Sequence, residues 1–84
     1  MASAELTLLG KPGCHLCDAA RDVVSAVAAD FPTVTVTELS ILDDPGLLEK
    51  YAEEIPVVLV GGKVHNIWRI DPDRLRDALE EATR

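Results

Sequence analysis

Cys14 and Cys17 are the only cysteines of the chain, and they stand three positions apart in Lys11-Pro12-Gly13-Cys14-His15-Leu16-Cys17. Two thiols at i and i+3 on the first turn of a helix share one face, with Cβ atoms about 5–6 Å apart before adjustment. That is near enough to bridge after a small local shift. A bridge closing so short a loop removes little entropy from the unfolded chain and so adds little stability. The pair therefore points to reversible sulfur chemistry. A loop over Gly10 to Gly13 places Cys14 at the entry of the helix, where free backbone N–H groups and the positive helix end favour a thiolate. Free cysteine titrates near ~8.5, and such surroundings lower it to roughly 3.5–7.5. Cys14 is the expected nucleophile. Cys17, one turn deeper among apolar neighbours, is the expected resolving thiol, which attacks the mixed disulfide and releases the product.

Other uses of the pair compete. A tetrahedral zinc ion needs four ligands, and beside the cysteines only His15 and His65 remain as soft donors. His15 lies between the two thiols and is badly placed to join both. No metal is expected in a single chain, although two chains sharing their pairs would supply enough sulfur for a metal or a cluster. Two inert buried thiols are a further reading, as is a non-enzymatic redox-sensing or protein-binding module that keeps the sulfur chemistry without turnover.

The rest of the chain must position these thiols. Its 84 residues allow one domain, taken as 1–84, with a single small core. Fifteen acidic against eight basic residues give a formal charge of −7, which repels phosphate backbones and anionic lipid and argues against nucleic-acid or membrane partners. Apolar runs such as Val23 to Ala29 and Ile55 to Val60 fall far short of the ~20 residues of a membrane span. The opening MASAELTLLG lacks the features of a secretory signal, so a cytoplasmic location is expected, where disulfides are mostly transient.

Glu5 to Leu9 reads as a buried strand ended by Gly10 and Pro12. From Cys17 onward, Ala20, Val23, Val24, Val27 and Phe31 recur at helical spacing up to Pro32. Thr33 to Glu38 alternates threonine and valine, which predicts a strand with valines on one side and threonines on the other. Asp44-Pro45 is an N-cap followed by proline at the first helical position, opening a stripe of Leu47, Leu48, Tyr51 and Ala52. Val57 to Val60 has the continuous branched character of a central strand. Gly61-Gly62 signals a hairpin returning through Lys63 to Trp68. Asp71-Pro72 repeats the cap, and Leu75, Ala78, Leu79 and Ala82 give the last helix an apolar face.

The order is β-α-β-α-β-β-α. With Lys11-Pro12-Gly13-Cys14-His15-Leu16-Cys17 after the first strand, Ile55-Pro56-Val57 before the third and Gly61-Gly62-Lys63 in the hairpin, the chain resembles the glutaredoxin-like branch of the thioredoxin superfamily over nearly its whole length. The resemblance implies an α/β thioredoxin fold, with a four-stranded mixed sheet flanked by three helices and a cis peptide before Pro56 beside Cys14. It implies that the backbone of Ile55 faces the cysteines and that Lys11 lies near the nucleophile and a glutathione carboxylate. Lys11, Gly13, His15, Ile55 and Pro56 are accordingly expected to meet the substrate, with Cys14 and Cys17 as the catalytic pair. The implied activity is thiol–disulfide oxidoreduction on protein or low-molecular-weight disulfides, with a reductase or small thiol as electron donor and no cofactor. Glutathione as cosubstrate is disfavoured by two departures. Asn66 to Asp73 lacks the Gly-Gly and acidic opening usual before the last helix, and Glu53-Glu54 stands where cationic or amide side chains are common. Trp68 is expected either to lie near the site or to fill the edge of the small core, the commoner place for a tryptophan.

Overall fold

The computed structural model describes residues 3–84. Its elements are β1 (Ala4–Gly10), α1 (His15–Ala28), β2 (Val34–Ser40), α2 (Pro45–Tyr51), β3 (Val57–Val60), β4 (Lys63–Ile67) and α3 (Pro72–Ala82), with a single 3-10 turn at Ile41–Asp43 before α2. The strands form one sheet in the order β2-β1-β3-β4. β1 and β2 run parallel, whereas β1 with β3 and β3 with β4 run antiparallel. Among the described residues no helix is long and apolar enough to cross a membrane.

The two-residue period of β1 divides the core. Leu6 and Leu8 point to one face, where they join Val58, Ala20, Val24 and Val27 of α1, and Leu75 and Leu79 of α3. Leu9 points to the other, with Val57, Ile41, Ile55, Tyr51 of α2 and Cys17. Helices thus lie on both faces, the arrangement of an α/β thioredoxin fold. In the β3–β4 hairpin Gly61 and Gly62 have φ of 60° and 81°, the doubly positive backbone that a tight two-residue turn requires. Val58 pairs with Asn66 and Leu59 with Val64, leaving His65 as the extra residue of a bulge.

Some elements depart from their sequence patterns. β2 begins and ends later than the alternation suggests, and its sidedness is lost: Thr35 to Leu39 are all exposed. β2 stands at the sheet edge, so Val36 is left as bare as Thr35 and Thr37, and only Val34 at its start is partly buried against the core. α1 ends before Phe31, which is half-buried in the following turn. α2 spans only seven residues, and of its expected stripe only Tyr51 is fully buried, with Leu47 partly so and Leu48 and Ala52 in solvent.

Candidate active site

Cys14 is the N-cap of α1. Its backbone is extended, with φ −98° and ψ 113°, and its carbonyl accepts the first helical hydrogen bond from Asp18 N at 3.1 Å. Its Sγ accepts a hydrogen bond from Cys17 N at 3.2 Å, the bond that an aspartate or serine oxygen makes at an ordinary helix start. Cys17 lies on the same turn, 5.2 Å away between Cα atoms, and the two sulfurs are joined in a disulfide. Their surroundings differ. Cys14 is half-buried, whereas Cys17 is 1% exposed and sits among Leu9, Tyr51 and Ile55. The outer sulfur can be reached by a second molecule, and the inner one is accessible chiefly to its neighbour.

Two glycines make this possible in different ways. Gly13, just before Cys14, has φ 76° and open space around it, so the position demands a left-handed backbone. At Gly10 the demand is for room. A Cβ there would fall 3.1 Å from Cys17 Sγ and 3.2 Å from Cys17 Cβ, so the absent side chain is what lets the end of β1 lie against the inner sulfur. The sequence marked Gly10 only as a strand terminator; its contact with Cys17 depends on how β1 and α1 pack, which local pattern does not encode.

The remaining candidates occupy distinct places. Ile55 and Pro56 are buried, the bond between them is cis, and Ile55 shares its cluster with Cys17 while Cys14 packs against that cluster. His15 is exposed between the two cysteines. Lys11 is exposed on the loop and lines a groove of about 450 Å³ with Arg21, Glu38 and Asp43. Across that groove Arg21 Nε and Nη2 donate to Glu38 at 2.7 and 2.8 Å, and Nη1 donates to Asp18 at 2.8 Å, tying α1 to β2. The Arg21 guanidinium holds the Glu38 carboxyl below the usual carboxylate range. Lys11 makes no ion pair among the described residues, so its charge is free to act on a ligand. No third histidine, cysteine, aspartate or glutamate converges on the cysteine pair in a set that could hold a metal ion, among the described residues.

Of the two places open to Trp68 in the sequence, the structure does not take the commoner one. The residue is 53% exposed rather than filling the core edge. Its backbone N–H donates to Pro56 O at 2.8 Å and its indole N–H donates to Glu53 O at 3.1 Å, so the ring is fixed over the segment leading into Pro56.

Comparison with known proteins agrees with this geometry. The glutaredoxin-like domain family (DUF836) is matched over residues 5–80. A glutaredoxin-like protein of Dictyostelium discoideum is 32% identical over 98% of this chain and 81% of its own, and an uncharacterised protein of Mycobacterium tuberculosis is 29% identical over 99% and 90%. A solved X. campestris structure superposes with a TM-score of 0.74 at 31% identity, covering 92% of this chain and 97% of that one. Mitochondrial thioredoxin 3 of Saccharomyces cerevisiae, in its oxidised form, shares the fold with a TM-score of 0.71 at 13% identity, covering 96% and 80%. A cysteine pair at bonding distance on a thioredoxin fold fits a redox module.

Proposed function

The chain belongs to the glutaredoxin-like domain family, and we propose that it is a thiol–disulfide oxidoreductase in which Cys14 attacks and Cys17 resolves. The observation that carries this is the hydrogen bond from Cys17 N–H to Cys14 Sγ at the mouth of α1, together with the burial of Cys17 behind it. An amide N–H and the positive helix end stabilise charge on the outer sulfur. In the forward direction the Cys14 thiolate bonds to one sulfur of the substrate disulfide, and the other substrate sulfur departs as a thiolate. Cys17 then gives up its proton to solvent and attacks Cys14 Sγ. The first substrate sulfur leaves, and the Cys14–Cys17 disulfide remains. Two electrons have passed to the substrate, and a dithiol reductase or small thiol returns them to the protein.

The test is direct. Reduced protein is mixed with a simple disulfide such as hydroxyethyl disulfide in the presence of a thiol donor, and turnover is followed alongside the variants Cys14→Ser and Cys17→Ser. Turnover that is lost in Cys14→Ser, with a trapped mixed disulfide in Cys17→Ser, supports the reading. Absence of any reaction of the reduced wild-type protein with a disulfide overturns it.

A further inference from the structure

The two edges of the sheet are finished differently. β4 is five residues long, begins with the exposed Lys63 and carries the bulge at His65. A charge and a bulge both keep a free edge from pairing with another chain. β2 has neither. Its seven residues, Val34–Ser40, run in unbroken register along β1, contain no lysine or proline, and are mostly β-branched, with Val36 45% exposed. Among the described residues β2 pairs with β1 alone.

The backbone fixes what this free edge offers. Ala4 N–H donates to Thr33 O at 3.3 Å, so Thr33 and, by two-residue alternation, Thr35, Thr37 and Leu39 turn their N–H and C=O groups toward β1. Val36 and Glu38 turn theirs outward, and an unpaired row of this kind is a template for a further strand. The same strand of a second copy, run antiparallel, fits it over its full length. With Thr37 against Thr37 on the two-fold axis, Val36 of each copy exchanges backbone hydrogen bonds with Glu38 of the other, and Thr35 faces Leu39. Threonines directly opposite one another stabilise such a pair.

Charge selects this register. Glu38 is the one charged side chain of β2. It meets valine rather than its own copy, and the Arg21 guanidinium already holds it at 2.7 and 2.8 Å. A register centred on Glu38 sets two carboxylates face to face, and one centred on Val36 sets Ser40 against Pro32, which has no N–H to give.

We propose that β2 is a self-association edge: two copies of the chain pair their β2 strands antiparallel about Thr37, joining their two sheets into one. The cysteine pair follows the Gly10 end of β1, which lies beside the Ser40 end of β2, so the two-fold axis sends the two sites to opposite ends of the joined sheet and leaves both open. One strand edge falls short of the roughly 1,200–2,000 Å² buried in a tight interface, and two chains of formal charge −7 repel each other. The pairing is therefore reversible, with a dissociation constant on the order of 0.1 mM.

Sedimentation velocity of the full chain from about 10 μM to about 1 mM brackets that value. The average mass is expected to rise from the 9.1 kDa of one chain toward twice that, and added salt, by screening the repulsion, to tighten the pairing. Val36→Lys, which sets a charge in the outward edge, is expected to stay at 9.1 kDa throughout, with the circular dichroism of the wild type. The register is read by cross-linking in a Cys14→Ser, Cys17→Ser background with diamide as oxidant. Thr37→Cys, opposite its own copy, is expected to form the intermolecular disulfide at least about tenfold faster than Thr35→Cys, whose two copies lie too far apart to bridge. Thr37→Cys also reads the pairing should Val36→Lys fail to fold. A wild-type chain that stays at 9.1 kDa to the highest concentration overturns the proposal, as does a dimer that survives Val36→Lys or loosens in salt. Equal cross-linking of Thr37→Cys and Thr35→Cys overturns the register.

Discussion

The N-termini of α1 and α3 follow one plan and are closed by different atoms. At α3, Asp71 accepts from Asp73 N at 2.9 Å and Arg74 N at 3.3 Å, and Pro72 supplies the first helical residue. α2 is opened in the same way by Asp44 and Pro45. At α1 the cap is Cys14, whose sulfur accepts from Cys17 N at 3.2 Å. A carboxylate is a strong acceptor and stabilises a helix start by about 0.5–2 kcal/mol relative to alanine. A sulfur is a weaker acceptor, so the same amides and the same dipole contribute less to stability at α1 and more to the acidity of the thiol. The difference teaches that one local field serves structure or chemistry according to the atom placed in it.

The largest expected effect comes from making the two ends alike. Cys14→Asp gives α1 the carboxylate cap of α3; disulfide turnover is expected to vanish, while the reduced protein is as stable as the wild type or gains up to about 1 kcal/mol in urea unfolding. A large loss of stability would show that Cys14 holds the fold in a way no cap explains. Gly10→Ala probes a feature with no counterpart at α3, the close contact with the inner sulfur. Overpacking of this kind costs roughly 1–3 kcal/mol. The variant is expected to form the mixed disulfide at a near-normal rate and to resolve it about tenfold more slowly, since 1.4 kcal/mol is a factor of ten. Quenched-flow mass spectrometry separates the two steps, and unchanged resolution would mean that Gly10 does not seat Cys17.

At the structural end, Asp71→Ala is expected to lower stability by about 1 kcal/mol, the usual loss of an N-cap, with turnover unaffected. The smallest effect concerns His65, the bulged residue of β4, which faces Arg74 and Asp71 of the same helix start. Burial, followed by the Arg74 charge, pushes its imidazole below the ordinary value, against a smaller opposing effect of Asp71. Its Nε2 is buried without a hydrogen-bond partner among the described residues. The folded state thus binds a proton less readily than the unfolded one. The associated stability is complete above the unfolded value near ~6.5 and is lost as pH falls from there toward the lowered folded value. Urea midpoints between neutral and mildly acidic pH are expected to fall less in His65→Gln than in the wild type.

How much of this was legible in the sequence depends on the range of the interaction involved. Asp44-Pro45 and Asp71-Pro72 marked two helix starts because capping is settled within four residues, and Gly61-Gly62 marked the hairpin for the same reason. The Cys14–Cys17 pair was legible through its spacing, and the different burial of the two thiols through their order on one helical turn. Thr35 to Leu39 misled because alternation reports a strand but not whether a helix covers it, and an edge strand is left bare. Leu48 carried the pattern of a buried stripe on a helix too short to bury it. The place of Trp68 was left open between site and core edge because it depends on hydrogen bonds to Glu53 and Pro56 across the chain, and the closeness of Gly10 to Cys17 is likewise a product of packing between β1 and α1.

The rate of alkylation of the fully reduced protein, followed at Cys14 and Cys17 separately by peptide mass spectrometry across pH, tests the central claim most directly. The account predicts that Cys14 reacts first, with a midpoint well below the ~8.5 of free cysteine, while Cys17 lags. Equal rates at the two thiols, with Cys14 titrating as free cysteine does, would contradict it.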